Sequence, residues 1–219
     1  MRVRRTEEPR YVAVDGPPGS GASAIARRLA AATGATLYAD PAPENPFRDD
    51  FARAPERFAF QTQTFCLLTR YRQQVELAQP DLFSPGGAVA DYVFARDELF
   101  ARVTLRPEEM HLYHRIHQLL DARIPRPDLV VYVTAARDTL RARLRALGQS
   151  SDRVIKLSVF ERLADLMDER FFSWDDGPLL ILDTTGAGPP SEFERLDRLT
   201  ETIDVIRRIR AGVQCIKLG

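Results

Sequence analysis

Lysine is almost missing from this chain. Of its 31 basic residues only Lys156 and Lys217 are lysines, and the rest are arginines. Surplus charge is missing too, because Lys+Arg and Asp+Glu each number 31 and the formal net charge is zero. That balance argues against a dedicated nucleic-acid binder, which carries a basic surplus. No run is apolar for long enough to span a membrane. The opening MRVRRTEEPR is basic but has no apolar stretch after it, so it does not read as a secretory signal. Cysteine is scarce. Cys66 lies in an apolar helical run and reads as a small core residue, and Cys215 is the only other one. These absences leave a cytoplasmic globular protein as the expectation. The remaining bulk numbers suit one α/β domain over residues 1–219, with 44% hydrophobic residues to build its core.

Short apolar, β-branched runs recur along the chain. YVAVD (Tyr11 to Asp15) stops at a glycine and predicts a buried strand feeding a turn. ATLYA (35–39), GAVAD (87–91), LVVYV (129–133) and LLILD (179–183) predict four more. Ile25, Leu29 and Ala32 predict a helix after the first strand, with Gly34 as its C-cap. Helical spacing predicts further helices over 56–77, 96–103, 108–121, 137–147, 159–172 and 192–209. Strands alternating with helices imply a parallel sheet covered on both faces. Ligands of such sheets bind beyond the carboxyl ends of the strands. Those ends carry Asp15-Gly16, Asp40-Pro41 and Asp91-Tyr92.

One motif carries chemistry. VDGPPGSGASA, Val14 to Ala24, places Gly16 and Gly21 at the spacing of the phosphate-binding loop G-x-x-x-x-G-K-[ST], and Ser23 closes the pattern. Position 22, where the pattern has lysine, is alanine. The turn can still aim backbone N–H groups at phosphates, and the following helix adds its dipole. Ser23 is a candidate Mg²⁺ ligand. At this point a glycine-rich turn that binds nothing stays open. HLYHRIH places His111, His114 and His117 three apart on a helix, but no carboxylate or cysteine constellation supports a metal there, and solvent or dimer contact is the expectation.

Five segments together resemble the deoxynucleoside kinases, most closely their bacterial deoxyadenosine/deoxyguanosine kinase branch. They are VDGPPGSGAS, ADPAPENPF, PERFAFQTQTFCLLTRYRQ, ADYVFARDELFA and PDLVVYVTAARDTLRARLRALG. The second and third are the most specific, because related nucleotide kinases share the loop and sheet but not that block. The resemblance implies a P-loop NTPase-like three-layer fold with a five-stranded parallel sheet, a lid near residues 145–156 and a helix-mediated homodimer. It implies transfer of the γ-phosphoryl group of ATP, with Mg²⁺, to the 5′-hydroxyl of a deoxynucleoside. No nucleic acid or membrane partner is expected.

The resemblance also assigns residues. Gly16, Gly19, Ser20, Gly21, Ala22, Ser23 and Ala24 form the nucleotide-binding loop. Asp40 stands where the family has its general base, a glutamate, and is one methylene shorter. Gln63 and Arg70, two helical turns apart, contact the nucleobase, and Asp97 falls where the family has its base-contacting aspartate, a partner of Arg70. Asp91 lies near Mg²⁺, as does Ser23. Arg143 clamps the transition state from the lid root, and Asp152 meets the sugar 3′-hydroxyl. The departures concentrate on phosphate handling: Ala22 for lysine, Tyr92 for arginine, Leu147 and Gln149 for lid cations, and Ala52 for a tyrosine. Arg96, Arg153 and Lys156 are the cations available to compensate. Two readings follow, an ATP-dependent deoxynucleoside kinase of altered phosphate handling, or a catalytically impaired relative that binds nucleoside or acts as a structural or regulatory partner.

Overall fold

Strand β1 (Tyr11–Asp15) is buried along its whole length. Val12 and Val14 face one layer of helices, and Tyr11 and Ala13 face the other. A central parallel strand has this two-sided burial. A computed structural model describes residues 10–79, 87–146, 157–195, 197–209 and 211–218. Among these, β1 is third in a six-stranded sheet of order β2-β3-β1-β4-β5-β6. Every neighbouring pair is parallel. The other strands are β2 (Thr36–Tyr38), β3 (Ala88–Ala90), β4 (Leu129–Thr134), β5 (Leu179–Asp183) and β6 (Val213–Lys217).

The helices are α1 (Ala22–Thr33), α2 (Arg48–Arg53), α3 (Pro55–Leu77), α4 (Arg96–Thr104), α5 (Pro107–Asp121), α6 (Arg137–Ala146), α7 (Leu157–Phe172) and α8 (Asp197–Arg208). Ile25 and Leu29 of α1 and Ile203 and Ile206 of α8 cover one sheet face. Leu99 of α4 and Leu163, Met167 and Phe171 of α7 cover the other. α3, α4 and α5 meet around Leu67, Ala101 and Tyr113, which carries α3 alongside the carboxyl edge of the sheet. No helix among the described residues is long and apolar enough to cross a membrane.

The three-layer α/β expectation holds, with corrections. The sheet has a sixth strand. VQCIK escapes a periodicity search because four of its five residues are exposed, Val213 at 56%. It gains its order from hydrogen bonding to β5 at the sheet edge. The helix expected over 192–209 divides into a 3₁₀ turn, Pro190–Arg195, and α8. Phe193 in that turn is fully buried, packed against the loop before α1. The short α2 has too few residues to show a period.

Candidate active site

Register decides which strand ends meet. β3 pairs with both β1 and β2, so the residues past these three strands lie side by side. Asp15 ends β1, Asp40 lies two residues beyond β2, and Asp91 follows β3 directly. The Asp91 amide donates to the Tyr38 carbonyl at 3.0 Å, which locks the second and third of these together.

Two arginines answer the carboxylates. Arg96, at the start of α4, holds Nη1 3.3 Å from Asp15 Oδ1 and 3.4 Å from Asp40 Oδ2. Arg70, from α3, holds Nη2 2.6 Å from Asp40 Oδ1 and pairs through Nη1 with Asp97. Asp15 also accepts the amides of Gly16 and Val93 at 2.7 and 3.0 Å. Asp15, Asp40, Asp91 and Asp97 thus outnumber Arg70 and Arg96, and the cluster is short of positive charge.

The imbalance separates two neighbouring carboxyls. Burial works to raise the Asp40 pKa, but Arg70, Arg96 and the Ala42 amide overcome it and bring it to about 2. Burial pushes Asp91 up to about 6, against the Ser23 hydroxyl and Arg96, and with the charges of Asp40 and Asp15 adding to the rise. A cation beside Asp91 would favour its ionised form. Ser23 and Asp91 are hard oxygen donors within hydrogen-bonding reach of each other. That donor set fits Mg²⁺, which takes one or two protein ligands and completes its shell with water and phosphate oxygens. Among the described residues no group of three or more His, Cys, Asp or Glu could hold a metal.

The phosphate-binding loop is built from the inside. Gly16 lies so close to the Val133 carbonyl that a Cβ would collide with it. Gly21 has φ +90°, and a Cβ there would run into the Phe193 ring. Thr184 and Arg143 sit behind the loop. The Thr184 hydroxyl is 3.2 Å from the Ser20 carbonyl, and Arg143 Nη1 is 3.3 Å from the Gly19 carbonyl. Arg143 also donates to Thr184 Oγ1 at 2.9 Å and to the Thr184 carbonyl at 2.5 Å. A trans peptide holds C=O and N–H antiparallel. With the Ser20 carbonyl turned toward Thr184, the Gly21 amide points away from it. Among the described residues the amides of Gly19, Gly21 and Ser23 have no acceptor, which leaves them available to an anion.

A cavity of about 470 Å³ opens over this edge of the sheet, within the range of small-molecule sites. Ser23 and Arg27 line it from α1, and Gln63 and Arg70 from α3, with Asp40, Asp91 and Arg96 also in its lining. The sequence-derived residues therefore divide. Asp40, Gln63, Arg70, Ser23 and Asp91 all line the cavity. Asp97 does not reach it; its side chain is fully buried behind Arg70, which it clamps. Arg143 does not reach it either; its guanidinium is engaged with the loop and Thr184. Tyr92 is fully buried beneath Arg70, its ring centroid 5.4 Å from the guanidinium carbon. Asp152, Leu147, Gln149, Arg153 and Lys156 lie outside the described residues. Ala22 packs against the core instead of lining the cavity.

Several cavity residues escaped the sequence reading. Phe100 and Thr104 continue a stripe of α4 that starts at Arg96, and Thr62 and Cys66 precede Arg70 on a stripe of α3, each at four-residue spacing. The spacing was legible, but nothing in it said which stripe faced a ligand. Asn45 pins the ENPF segment to α3, donating to the Thr62 carbonyl at 3.0 Å and to Cys66 Sγ at 3.3 Å. The histidines diverge. His117 is buried and stacked on Phe94 at 5.0 Å, correcting the expectation of solvent or dimer contact for it, while His114 lies 3.3 Å from Glu98 and His111 is exposed.

Comparison with known proteins agrees with this geometry. The chain is 29% identical over 153 residues to a deoxyguanosine kinase of Bacillus subtilis, covering 70% of this chain and 74% of that one. It is 24% identical over 213 residues to a deoxyguanosine kinase of Lactobacillus acidophilus, covering 90% and 91%. The solved structure of deoxyadenosine kinase from M. mycoides with bound dATP superimposes with a TM-score of 0.70 at 20% identity, over 90% of this chain and 97% of that chain. The family model for deoxynucleoside kinases matches residues 12–203, and with its loop, strand-end carboxylates and α3 stripe converging on one cavity, the chain belongs to the deoxynucleoside kinase family.

Proposed function

We propose that the chain is an ATP-dependent deoxynucleoside kinase, directed to a purine deoxynucleoside such as deoxyguanosine or deoxyadenosine. One observation carries the reading. Asp40, a carboxylate held by two arginines, lines the same cavity as the Ser23 end of an anion-binding loop and the Gln63–Arg70 pair of α3. A phosphoryl donor and a hydroxyl acceptor entering from these two sides meet beside Asp40.

Phosphoryl transfer requires positioning and charge stabilisation more than covalent chemistry. The amides of Gly19, Gly21 and Ser23 hold donor phosphate oxygens. Ser23 and Asp91 would hold Mg²⁺, which would neutralise charge on the phosphates. Gln63 offers the base an amide donor and acceptor, and Arg70 offers donors in a fixed plane. Asp97 is a positioning residue that sets the angle of Arg70. Asp40 orients the 5′-hydroxyl and takes its proton. A carboxyl of pKa about 2 is a weak base, and a loose transition state needs no stronger one. Arg143 positions the loop through Gly19 and Thr184. Asp152 is assigned to the sugar 3′-hydroxyl and 145–156 to a lid on the family resemblance. Residues 1–219 are read as one cytoplasmic domain, paired as a homodimer.

The test is a phosphotransfer assay with Mg-ATP across the four deoxynucleosides. Turnover with a purine deoxynucleoside is expected, and Asp40→Asn should reduce it about 100-fold or more. Binding of deoxynucleoside without turnover, even at high enzyme concentration, would establish the impaired reading instead.

A further inference from the structure

The loop lacks its lysine, and the cations beside it differ in whether they are engaged. Arg96 is held by Asp15 and Asp40, and Arg70 by Asp40 and Asp97. Their charge is already balanced by carboxylates. Arg27 is different. It lines the cavity together with Ser23 and Asp91, is exposed, and has no ion pair or hydrogen bond from its guanidinium among the described residues. Arg48, also on the cavity wall, comes from α2 and the ENPF side.

Helix geometry directs Arg27 to the phosphates. Ser23 and Arg27 are four apart on α1, hence on one face. Ala22 is about 100° away around the helix and packs on the core. Side chains of a helix lean toward its N-terminus. Four residues span about 6 Å of rise, so an arginine leaning back from position 27 brings its guanidinium to the first turn. That turn carries the Ser23 hydroxyl and the free amides of the loop. A guanidinium also suits this place chemically, because its planar fork matches phosphate oxygens two at a time.

We infer that Arg27 is the phosphate-binding cation of this site, contributing from the second turn of α1 the charge that a lysine at position 22 would contribute from the first. The inference rests on the kinase reading above. It is tested by titration calorimetry of the full chain with Mg-ATP and, separately, with deoxyguanosine. Arg27→Met, which keeps the aliphatic stem, should weaken Mg-ATP about 10- to 100-fold, the loss of one charge-assisted contact, and leave deoxyguanosine affinity within about twofold. Arg27→Lys should retain part of the affinity. Adding Ala22→Lys to Arg27→Met should recover more affinity than Ala22→Lys adds to the wild-type chain. Mg-ATP binding to Arg27→Met at wild-type strength would overturn the inference while leaving the kinase reading intact. A wild-type chain that neither binds Mg-ATP nor transfers phosphate would overturn both.

Discussion

Asp40 and Asp91 line one cavity and titrate on opposite sides of the usual carboxylate range. Asp40, lowered to about 2, stabilises the fold when ionised. That contribution is complete above pH about 4 and lost as pH falls toward 2. Asp91 works the other way. With its folded pKa raised to about 6, the folded chain holds a proton there that the unfolded chain releases near pH 4. Its contribution to stability is present below that window and declines as pH rises from about 4 to 6. Urea denaturation across this window should show the decline in the wild type and its absence in Asp91→Asn. Since Mg²⁺ needs the ionised carboxylate, Mg-dependent ATP binding should fall about tenfold per pH unit below about 6 and level off above 7. Arg70 gives a second residue-scale prediction. Arg70→Met leaves Asp97 buried without its counterion and should cost about 3–5 kcal/mol in chemical denaturation, with Arg70→Met/Asp97→Asn recovering part of the loss.

At the scale of elements, the loop between β1 and α1 depends on neighbours remote in sequence. Phe193 from the 3₁₀ turn Pro190–Arg195 fills the space beside Gly21, and Arg143 of α6 stacks over Phe193 at 5.2 Å while reaching the Gly19 carbonyl. Gly21→Ala meets both an unfavourable φ and the Phe193 ring. It should destabilise the chain by about 2–4 kcal/mol, read by thermal or urea unfolding, and Phe193→Leu in the same chain should return part of that. Arg143→Met should raise the Kd for Mg-ATP about tenfold with little change for deoxynucleoside, because the loop loses its inner support while α3 does not. Equal loss for both ligands would place Arg143 with the acceptor site.

For the whole molecule, the apolar surface is unevenly shared. Leu112 and Leu119 of α5 are 50% and 66% exposed, and on the neighbouring α3 Leu68 and Val75 are 50% and 37% exposed. Each pair is seven apart, two turns along one helix face. This stripe is the natural seat of the proposed homodimer. Sedimentation should give about twice the 24.8 kDa chain mass, and Leu112→Glu/Leu119→Glu should reduce it to the single chain. An unchanged mass in the variant would move the interface elsewhere.

Five of the six strands, the loop and the family were legible in the sequence alone. Runs such as YVAVD and LLILD are short, apolar and bounded by turn residues, so burial on both faces left them one structure to adopt. The motif spacing from Gly16 to Ser23 placed the loop, and the ENPF and PERFAFQ segments separated this family from other nucleotide kinases. Adjacency came only with folding. Strand order β2-β3-β1 brought Asp40, Asp91 and Asp15 together, and no local pattern encodes strand order. Gln63 and Arg70 line the cavity, whereas Asp97 and Arg143, buried to a similar degree, support it from behind. All four are polar residues on helices, and periodicity assigns a face without saying what lies against it. The same reason hid Arg27: it faces a space between the strand ends and helices α1, α2, α3 and α4, which exists only once the chain has folded.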